Sequence, residues 1–364
     1  MATRRLSRRA FLRLAALGGI AAGGAVIERT ARPVGLLNYL RWTLRGAEQA
    51  TLGRPMPVGL GECTSYGGEV LDCLRELWRQ ARMPLVQGKR VLVKPNLIDL
   101  LDGHPVTTDP AVVAAILDLL VELGAAEIAV GDGPGFRREA EPVARSCGLA
   151  AVLAARHVPF VDLNYDDPRP VPARDGWFRG ASAIWLPRHV READFVISVP
   201  KMKTHHWAGV SLSLKNLFGI LPGARYGWPK NMLHVNGLPL SILGLYALVR
   251  PRVLGVVDGI VGMEGDGPLF GTPVPHGVMA VSADPVALDL TCAQLMGFSS
   301  KEVDHLQLAE WAGLGKPGYL SILDAEFAHL QLADTRRGGE TLSVEVQKTV
   351  IERLKRQYKR PPVL

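Results

Sequence analysis

Clustered cysteines are missing from this sequence. Its four cysteines, Cys63, Cys73, Cys147 and Cys292, are widely spaced and form no CxxC pair. Zinc ribbons and ferredoxin-type clusters need such pairs, so we expect no iron–sulfur cluster of the chain's own. The sequence also lacks the Walker and GxGxxG patterns, which excludes two common phosphate-binding loops. No repeat recurs at the periods that solenoid proteins show.

Basic charge is also scarce outside the N-terminal segment. The 364-residue chain has a net charge of +7. Residues 1–32 hold seven arginines and one glutamate, so this segment alone contributes +6 and the rest is nearly neutral. We therefore expect no nucleic-acid partner. With 48% hydrophobic and 21% charged residues, the composition is that of an ordinary globular protein with enough apolar material for a core.

The N-terminal segment has the pattern of an export signal. Residues 7–13 read Ser-Arg-Arg-Ala-Phe-Leu-Arg and resemble the twin-arginine (Tat) signature. Residues 14–27 follow as a weakly apolar stretch rich in glycine and alanine, too short for a comfortable membrane-spanning helix. We expect the Tat export machinery as a partner, and a location in the periplasm or on the outer face of the cytoplasmic membrane. Cleavage of the signal and its retention as an anchor both remain open.

The rest of the chain predicts an α/β fold. Short β-branched runs near residues 90–94, 127–131, 157–163, 194–199, 252–257 and 278–282 alternate with segments that have helical periodicity. This alternation predicts a three-layer, doubly wound domain, with helices on both faces of a mostly parallel sheet. We assign residues 1–32 to the signal or anchor, 33–57 to a linker or helix, 58–335 to the α/β domain and 336–364 to a charged helix. Asp109 and Asp284, each followed by proline, are predicted helix N-caps.

Polar residues gather where the predicted strands end, which is where open α/β sheets bind ligands. Only 11 of the 42 basic residues are lysine, and four of these follow predicted strands. Lysine provides a compact charge and a tunable pKa, suited to a carboxylate, a phosphate or proton transfer. The candidate catalytic residues are Lys201, Lys203 and His205; the candidate ligand-binding residues are Lys94, Asn96, Asp132, Lys215, Asn216 and His234; the candidate ligands of a divalent metal are Asp258, Glu264 and Asp266. For Asp132 a turn role between glycines is equally open.

Six motifs, in the order in which they occur along the chain, resemble those of one family. They are Val91–Asn96, Thr107–Pro110, Phe195–His205, Ser213–Gly219, Val257–Pro268 and Ala283–Asp289. The chain resembles the family called domain of unknown function 362 over residues 58–300. Some members carry ferredoxin-type modules, so the resemblance implies an association with redox proteins. This chain, however, lacks the clustered cysteines of such modules.

Two functions from different classes follow. The first is an acid–base enzyme, metal-assisted or not, that acts on a small anionic carboxylate or phosphate ligand. The second is a non-catalytic accessory protein of the cell envelope that serves a membrane redox or iron–sulfur system and has a membrane redox partner.

Overall fold

The computed structural model describes residues 56–322, apart from residues 100, 102, 136–138, 174–175, 179, 229 and 316–318. The strands are β1 Pro57–Glu62, β2 Arg90–Pro95, β3 Glu127–Asp132, β4 Phe160–Asp162, β5 Arg169–Pro172, β6 Ala183–Leu186, β7 Phe195–Val199, β8 Lys201–His205, β9 Gly209–Ser211, β10 Val253–Glu264, β11 Thr272–Val274, β12 Val278–Ser282 and β13 Tyr319–Ile322. The helices are α1 Glu69–Gln80, α2 Pro110–Glu122, α3 Glu141–Ser146, α4 Leu149–Ala155, α5 Arg188–Glu192, α6 Ser213–Asn216, α7 Gly223–Tyr226, α8 Asn231–Asn236, α9 Leu238–Val249, α10 Pro285–Leu295 and α11 Asp304–Trp311, with 3-10 turns at Leu217–Ile220 and Ser300–Glu302.

One large sheet organises the described chain. Its strand order is β13-β1-β12-β10-β7-β2-β3-β4. Every neighbouring pair in this order is parallel except the two that involve β12, which is antiparallel to both β1 and β10. The predicted α/β class and the mostly parallel sheet are therefore confirmed. A separate hairpin of β5 and β6 lies outside this sheet.

Two hydrophobic cores cover the two faces of the sheet. Side chains of a strand alternate between faces, and Leu92 lies in one core while Val91 and Val93 lie in the other. The core that contains Leu92 is completed by α9, α10 and α11, and the opposite core by α1, α2 and α4. This is the predicted three-layer arrangement.

Asp109 and Asp284 cap helices as predicted. The Asp109 carboxylate accepts a 2.8 Å hydrogen bond from the Ala111 amide, and Asp284 accepts from the Val286 amide at 2.9 Å. A proline follows each cap at the first helical position, where its missing N–H costs nothing. The caps fix where α2 and α10 begin.

The structure differs from the sequence prediction around β8 and β10. The strand predicted near residues 194–199 ends before Pro200, but after this proline the chain re-enters the sheet as β8 and pairs with β10. The strand predicted near residues 252–257 ends before Asp258, but β10 continues through the glycine-rich segment that follows, as far as Glu264. Its glycines allow close packing of backbones, since a Cβ on Gly262 would lie 2.7 Å from the Met202 carbonyl oxygen.

The predicted signal, the linker and the C-terminal charged helix lie at residues 1–57 and 336–364, which are outside the described residues apart from 56 and 57. The domain boundaries therefore stay predictions. Within the described part of the chain, no helix has both the length and the apolar composition that a membrane span requires.

Candidate functional site

A cavity of about 330 Å³ opens where β2 and β3 end and where β8, β9 and α6 meet. Its wall combines cationic, imidazole and amide groups with apolar side chains. The polar lining residues are Lys94, Asn96, Asp132, His205, His206, Ser211, Lys215, Asn216, Lys230 and His234, and the larger apolar ones are Leu97, Ile98, Trp207, Phe218, Leu269 and Phe270. This position beyond the carboxyl ends of parallel strands is where the fold predicts a ligand.

The structure brings seven of the twelve predicted site residues together at this cavity. They are Lys94, Asn96, Asp132, His205, Lys215, Asn216 and His234. The other five, Lys201, Lys203, Asp258, Glu264 and Asp266, do not line it. The wall also holds His206 and Lys230, which are not among the predicted site residues.

Lys94 and Asp132 form a buried ion pair in the floor of the cavity. The amine lies 2.6 Å from the Asp132 carboxylate and also donates to Asn216 Oδ1 and to the Pro95 carbonyl. The carboxylate accepts from the Leu97 and Gly133 amides at 2.7 and 2.8 Å. Burial lowers the pKa of Lys94, and the adjacent carboxylate opposes that shift. All three amine protons are used, so this pair shapes the floor and has no donor left for a ligand.

Lys215 differs from Lys94 in having no such partner. It lies on α6, whose first amides, those of Ser213 and Leu214, donate to the buried Asp289 carboxylate, both at 2.8 Å. Its amine sits 4.0 Å from the centroid of the Phe218 ring. Within the described residues, no carboxylate or hydrogen-bond acceptor contacts this amine. Burial, and then the positive charge of Lys94, lower the pKa of Lys215 to about 7.

Three histidines face the same space. The rings of His205 and His206 stack with centroids 4.9 Å apart, and Trp207 lies between His206 and His234 with ring distances of 4.8 and 5.4 Å. Burial is the main cause that lowers the pKa of each imidazole, to about 4 for His234. All three are therefore neutral at pH 7.

The hydrogen bonds of these imidazoles assign their tautomers. His205 Nδ1 accepts from the Trp207 and Ala208 amides at 3.1 and 3.3 Å, so its proton lies on Nε2. His206 Nδ1 donates to the Gly267 carbonyl and His234 Nδ1 donates to the Lys230 carbonyl, at 2.9 and 3.3 Å. These two therefore keep an unprotonated Nε2. The cluster thus offers one N–H donor and two unprotonated ring nitrogens that can accept a hydrogen bond or a proton.

Lys230 lies in the cavity wall but was not predicted as a site residue. It occupies the left-handed region at φ 67°, and its buried amine donates to the Gly133 and Phe218 carbonyls at 2.6 and 3.1 Å. Burial lowers its pKa to about 7. The scarcity of lysine was the available signal, because Lys230 is one of only 11 in the chain.

The predicted catalytic lysines of β8 do not reach the cavity. Lys201 is paired with Asp258 at 2.6 Å and donates to Tyr66 Oη at 2.8 Å. Lys203 is fully buried and donates to the Val106 carbonyl at 2.7 Å. Burial and neighbouring lysines hold the pKa of Lys203 well below its usual range. Of the three predicted catalytic residues, the structure therefore places only His205 at the cavity.

The three carboxylates predicted as metal ligands are not brought together. Asp258 is fully buried and bonded to Lys201 and Tyr66, whereas Glu264 pairs along β10 with β11 and Asp266 is exposed in the following turn. Across residues 56–322, with the gaps given above, no group of three His, Cys, Asp or Glu side chains is placed to hold a metal ion. The physical reason is that β10 is a strand here and not a loop that could fold around an ion.

A thylakoid-associated protein of Synechocystis sp. is 31% identical over 230 residues, which are 62% of this chain and 69% of that protein. Two solved structures are weakly similar. The lactate racemase apoprotein of Thermoanaerobacterium thermosaccharolyticum has a TM-score of 0.40 and 14% identity, over 66% of this chain and 57% of that one. A Thermotoga maritima protein has a TM-score of 0.36 and 12% identity, over 68% and 60%. The chain thus spans less than two thirds of either solved chain.

The sequence profile of one family covers more than half of the chain. It matches residues 91–294, which include β2 through α10 and the polar wall of the cavity described above. The chain therefore belongs to the family described as Domain of unknown function (DUF362).

Proposed function

We propose that this chain binds a small anionic compound, a carboxylate or a phosphate, in the cavity, with Lys215 as the cation that the ligand contacts. The observation that carries the proposal is the unpaired Lys215 amine. Cations removed from solvent are normally paired. In the described chain the buried Lys94 has such a partner, whereas the half-buried Lys215 has none. An anionic ligand would supply that partner.

The neutral imidazoles support acid–base chemistry on the bound anion. His206 and His234 each keep an unprotonated Nε2, and His205 presents an Nε2 proton. Such groups exchange protons with a ligand when they lie within hydrogen-bonding distance of it. We therefore favour an enzyme over a simple binding protein.

A non-catalytic accessory role in the cell envelope is the second candidate. It is favoured by the similarity to a thylakoid-associated protein, because that name links a relative to a membrane. Incubation of the protein with a bound carboxylate in deuterated water separates the candidates. Exchange of carbon-bound protons supports an enzyme, whereas return of the unchanged ligand supports the accessory role.

Lys215→Met is expected to weaken anion binding by about 10- to 100-fold. A hydrogen bond to a charged group contributes about 1.5–3 kcal/mol, and each 1.4 kcal/mol is a factor of ten. Isothermal titration with inorganic phosphate and with a panel of small carboxylates measures the effect. Lys301→Met, which removes an exposed lysine, is the matched control. Equal affinity in wild type and Lys215→Met would show that Lys215 does not contact the bound anion.

The affinity is also expected to fall as the pH rises through about 7. Below that pH, Lys215 is protonated and attracts the anion; above it, the amine is neutral and each pH unit costs up to about tenfold in affinity. Lys230 titrates in the same range and adds to the slope. Titrations from pH 5.5 to 9 check this. In Lys215→Arg, whose guanidinium stays charged, the pH dependence should be weaker, and an unchanged profile would contradict the assignment.

We also propose Tat-dependent export to the periplasm or to the outer face of the cytoplasmic membrane, on the basis of Arg8, Arg9 and the apolar stretch that follows. Replacing both arginines by lysine preserves the charge but removes the pair. The double variant is expected to accumulate in the cytoplasm in cell fractionation, whereas Arg4→Lys should be exported normally. Equal export of both variants would refute the proposal.

A further inference from the structure

Lys215 combines three features that suit an amine nucleophile. It lies on the cavity wall, its amine has no acceptor within the described residues, and its backbone is fixed by the two hydrogen bonds from α6 to Asp289. A nucleophilic amine must present a free lone pair at a defined position. The missing acceptor also supports the cationic role described above, whereas the fixed backbone position is specific to a nucleophile.

The four buried lysines of the described chain lack this combination. Lys94 uses all three of its protons, Lys201 is held in an ion pair, and Lys203 does not line the cavity. Lys230 lines it but donates to two carbonyls. Lys215 is thus the lysine of the described cavity wall whose amine is committed to no other group.

The surroundings of Lys215 also favour its neutral form. The amine rests on the Phe218 ring, and the charge of nearby Lys94 adds to the effect of burial. Desolvation and a neighbouring cation are the two devices that activate lysines for attack on carbonyl groups. At pH 7 a much larger fraction of the Lys215 amine is therefore neutral than of an ordinary exposed lysine.

We propose that Lys215 forms an imine with a carbonyl compound that also carries an anionic group, that is, a small oxo acid. This deepens the proposed function and rests on it, since the same cavity must first bind the anion. Lys230, with one proton uncommitted, and the His205 Nε2–H are placed in the same wall to hold the anionic group while Lys215 reacts.

The reaction balances without any oxidant or metal. The neutral Nζ forms a bond to the carbonyl carbon and the C=O π bond breaks. The proton that leaves nitrogen passes through Nε2 of His206 or His234 to the oxygen, which gives a carbinolamine and returns the imidazole to its unprotonated form. The hydroxyl takes a second proton from the Lys230 ammonium and departs as water, so the net change is amine plus carbonyl plus one proton to protonated imine plus water. The unprotonated imidazole can then accept a proton from the adjacent carbon.

Reductive trapping tests the proposal. The purified full chain is incubated with pyruvate or glyoxylate and sodium cyanoborohydride, and the modified peptides are identified by mass spectrometry. We expect one adduct on Lys215, formed at least about tenfold faster than on Lys301. That ratio follows from the difference in neutral fraction, reduced by the weaker nucleophilicity of a less basic amine.

Lys215→Arg separates this proposal from the proposed function. The variant keeps a cation but cannot form the adduct, so it should retain oxo-acid binding by isothermal titration and lose trapping. Lys215→Met, with its fold checked by thermal unfolding, should lose both. If wild type binds pyruvate or glyoxylate but traps neither, or modifies Lys215 no faster than Lys301, the imine is wrong while anion binding stands. If wild type neither binds nor traps them and binds no other small anion, both proposals fail.

Discussion

Asp132→Ala is expected to lower the free energy of unfolding by about 3–5 kcal/mol, because it leaves the Lys94 charge buried without its partner. The pair is almost inaccessible to solvent, with side-chain exposures of 1% and 3%. The substitution also removes the acceptor of the Leu97 and Gly133 amides, and each unsatisfied buried donor adds its own cost. Urea unfolding followed by circular dichroism measures the change.

Two further variants make this prediction specific to burial. Glu141→Ala breaks the exposed Glu141–Arg145 pair, with exposures of 60% and 71%, and should cost less than about 0.5 kcal/mol. Lys94→Met combined with Asp132→Asn removes both charges and should recover at least about 2 kcal/mol relative to Asp132→Ala. A double variant no more stable than Asp132→Ala would show that the lost amide acceptors, and not the buried charge, dominate.

Asp289→Ala is expected to destabilise the protein by about 2–6 kcal/mol and to weaken anion binding. The fully buried carboxylate accepts the Ser213 and Leu214 amides, and each donor left unsatisfied costs about 1–3 kcal/mol. These amides open α6, which carries Lys215 one residue further on. A helix of four residues has too few internal hydrogen bonds to hold its place, so the amine should lose its fixed position.

Asp304→Ala is the matched control for Asp289→Ala. It also removes an acidic side chain near a helix start, but Asp304 is exposed on α11, and we expect a change within about 0.5 kcal/mol. Affinity for inorganic phosphate should fall in Asp289→Ala and remain unchanged in Asp304→Ala. Intact binding by a destabilised Asp289→Ala would mean that α6 is held by packing alone.

The sequence predicted the central parallel strands well, and the reason is physical. The strands β2, β3 and β7 contribute side chains to the cores on both faces of the sheet. In the sequence each therefore appears as a short continuous apolar run with turn residues at its ends. The two aspartates before prolines marked helix starts because capping depends only on local geometry. No local sequence signal predicts the antiparallel direction of β12, because this direction is set by its pairing with β1 and β10.

The candidate site was predicted less completely. Lys94 and Asp132 lie at the ends of the strands β2 and β3, and the end of a strand can be predicted from its own residues. Lys201 and Lys203 were misplaced because the chain resumes a strand after Pro200, although their alternation with Met202 is itself a period-two pattern. His206 was missed since its place depends on the reversal between β8 and β9, which local sequence does not specify.

The position of β1 has a consequence for how the chain folds. β1 is hydrogen-bonded to β12 on one side and to β13 on the other, so Val58 is paired with residues more than 220 positions later. Pairing between such distant segments carries a large loop-closure entropy and slows folding. During synthesis β1 cannot pair until nearly the whole described region has left the ribosome. At this edge of the sheet the first strand to be synthesised, β1, therefore pairs only after β12 and β13, which are the last ones of the described chain.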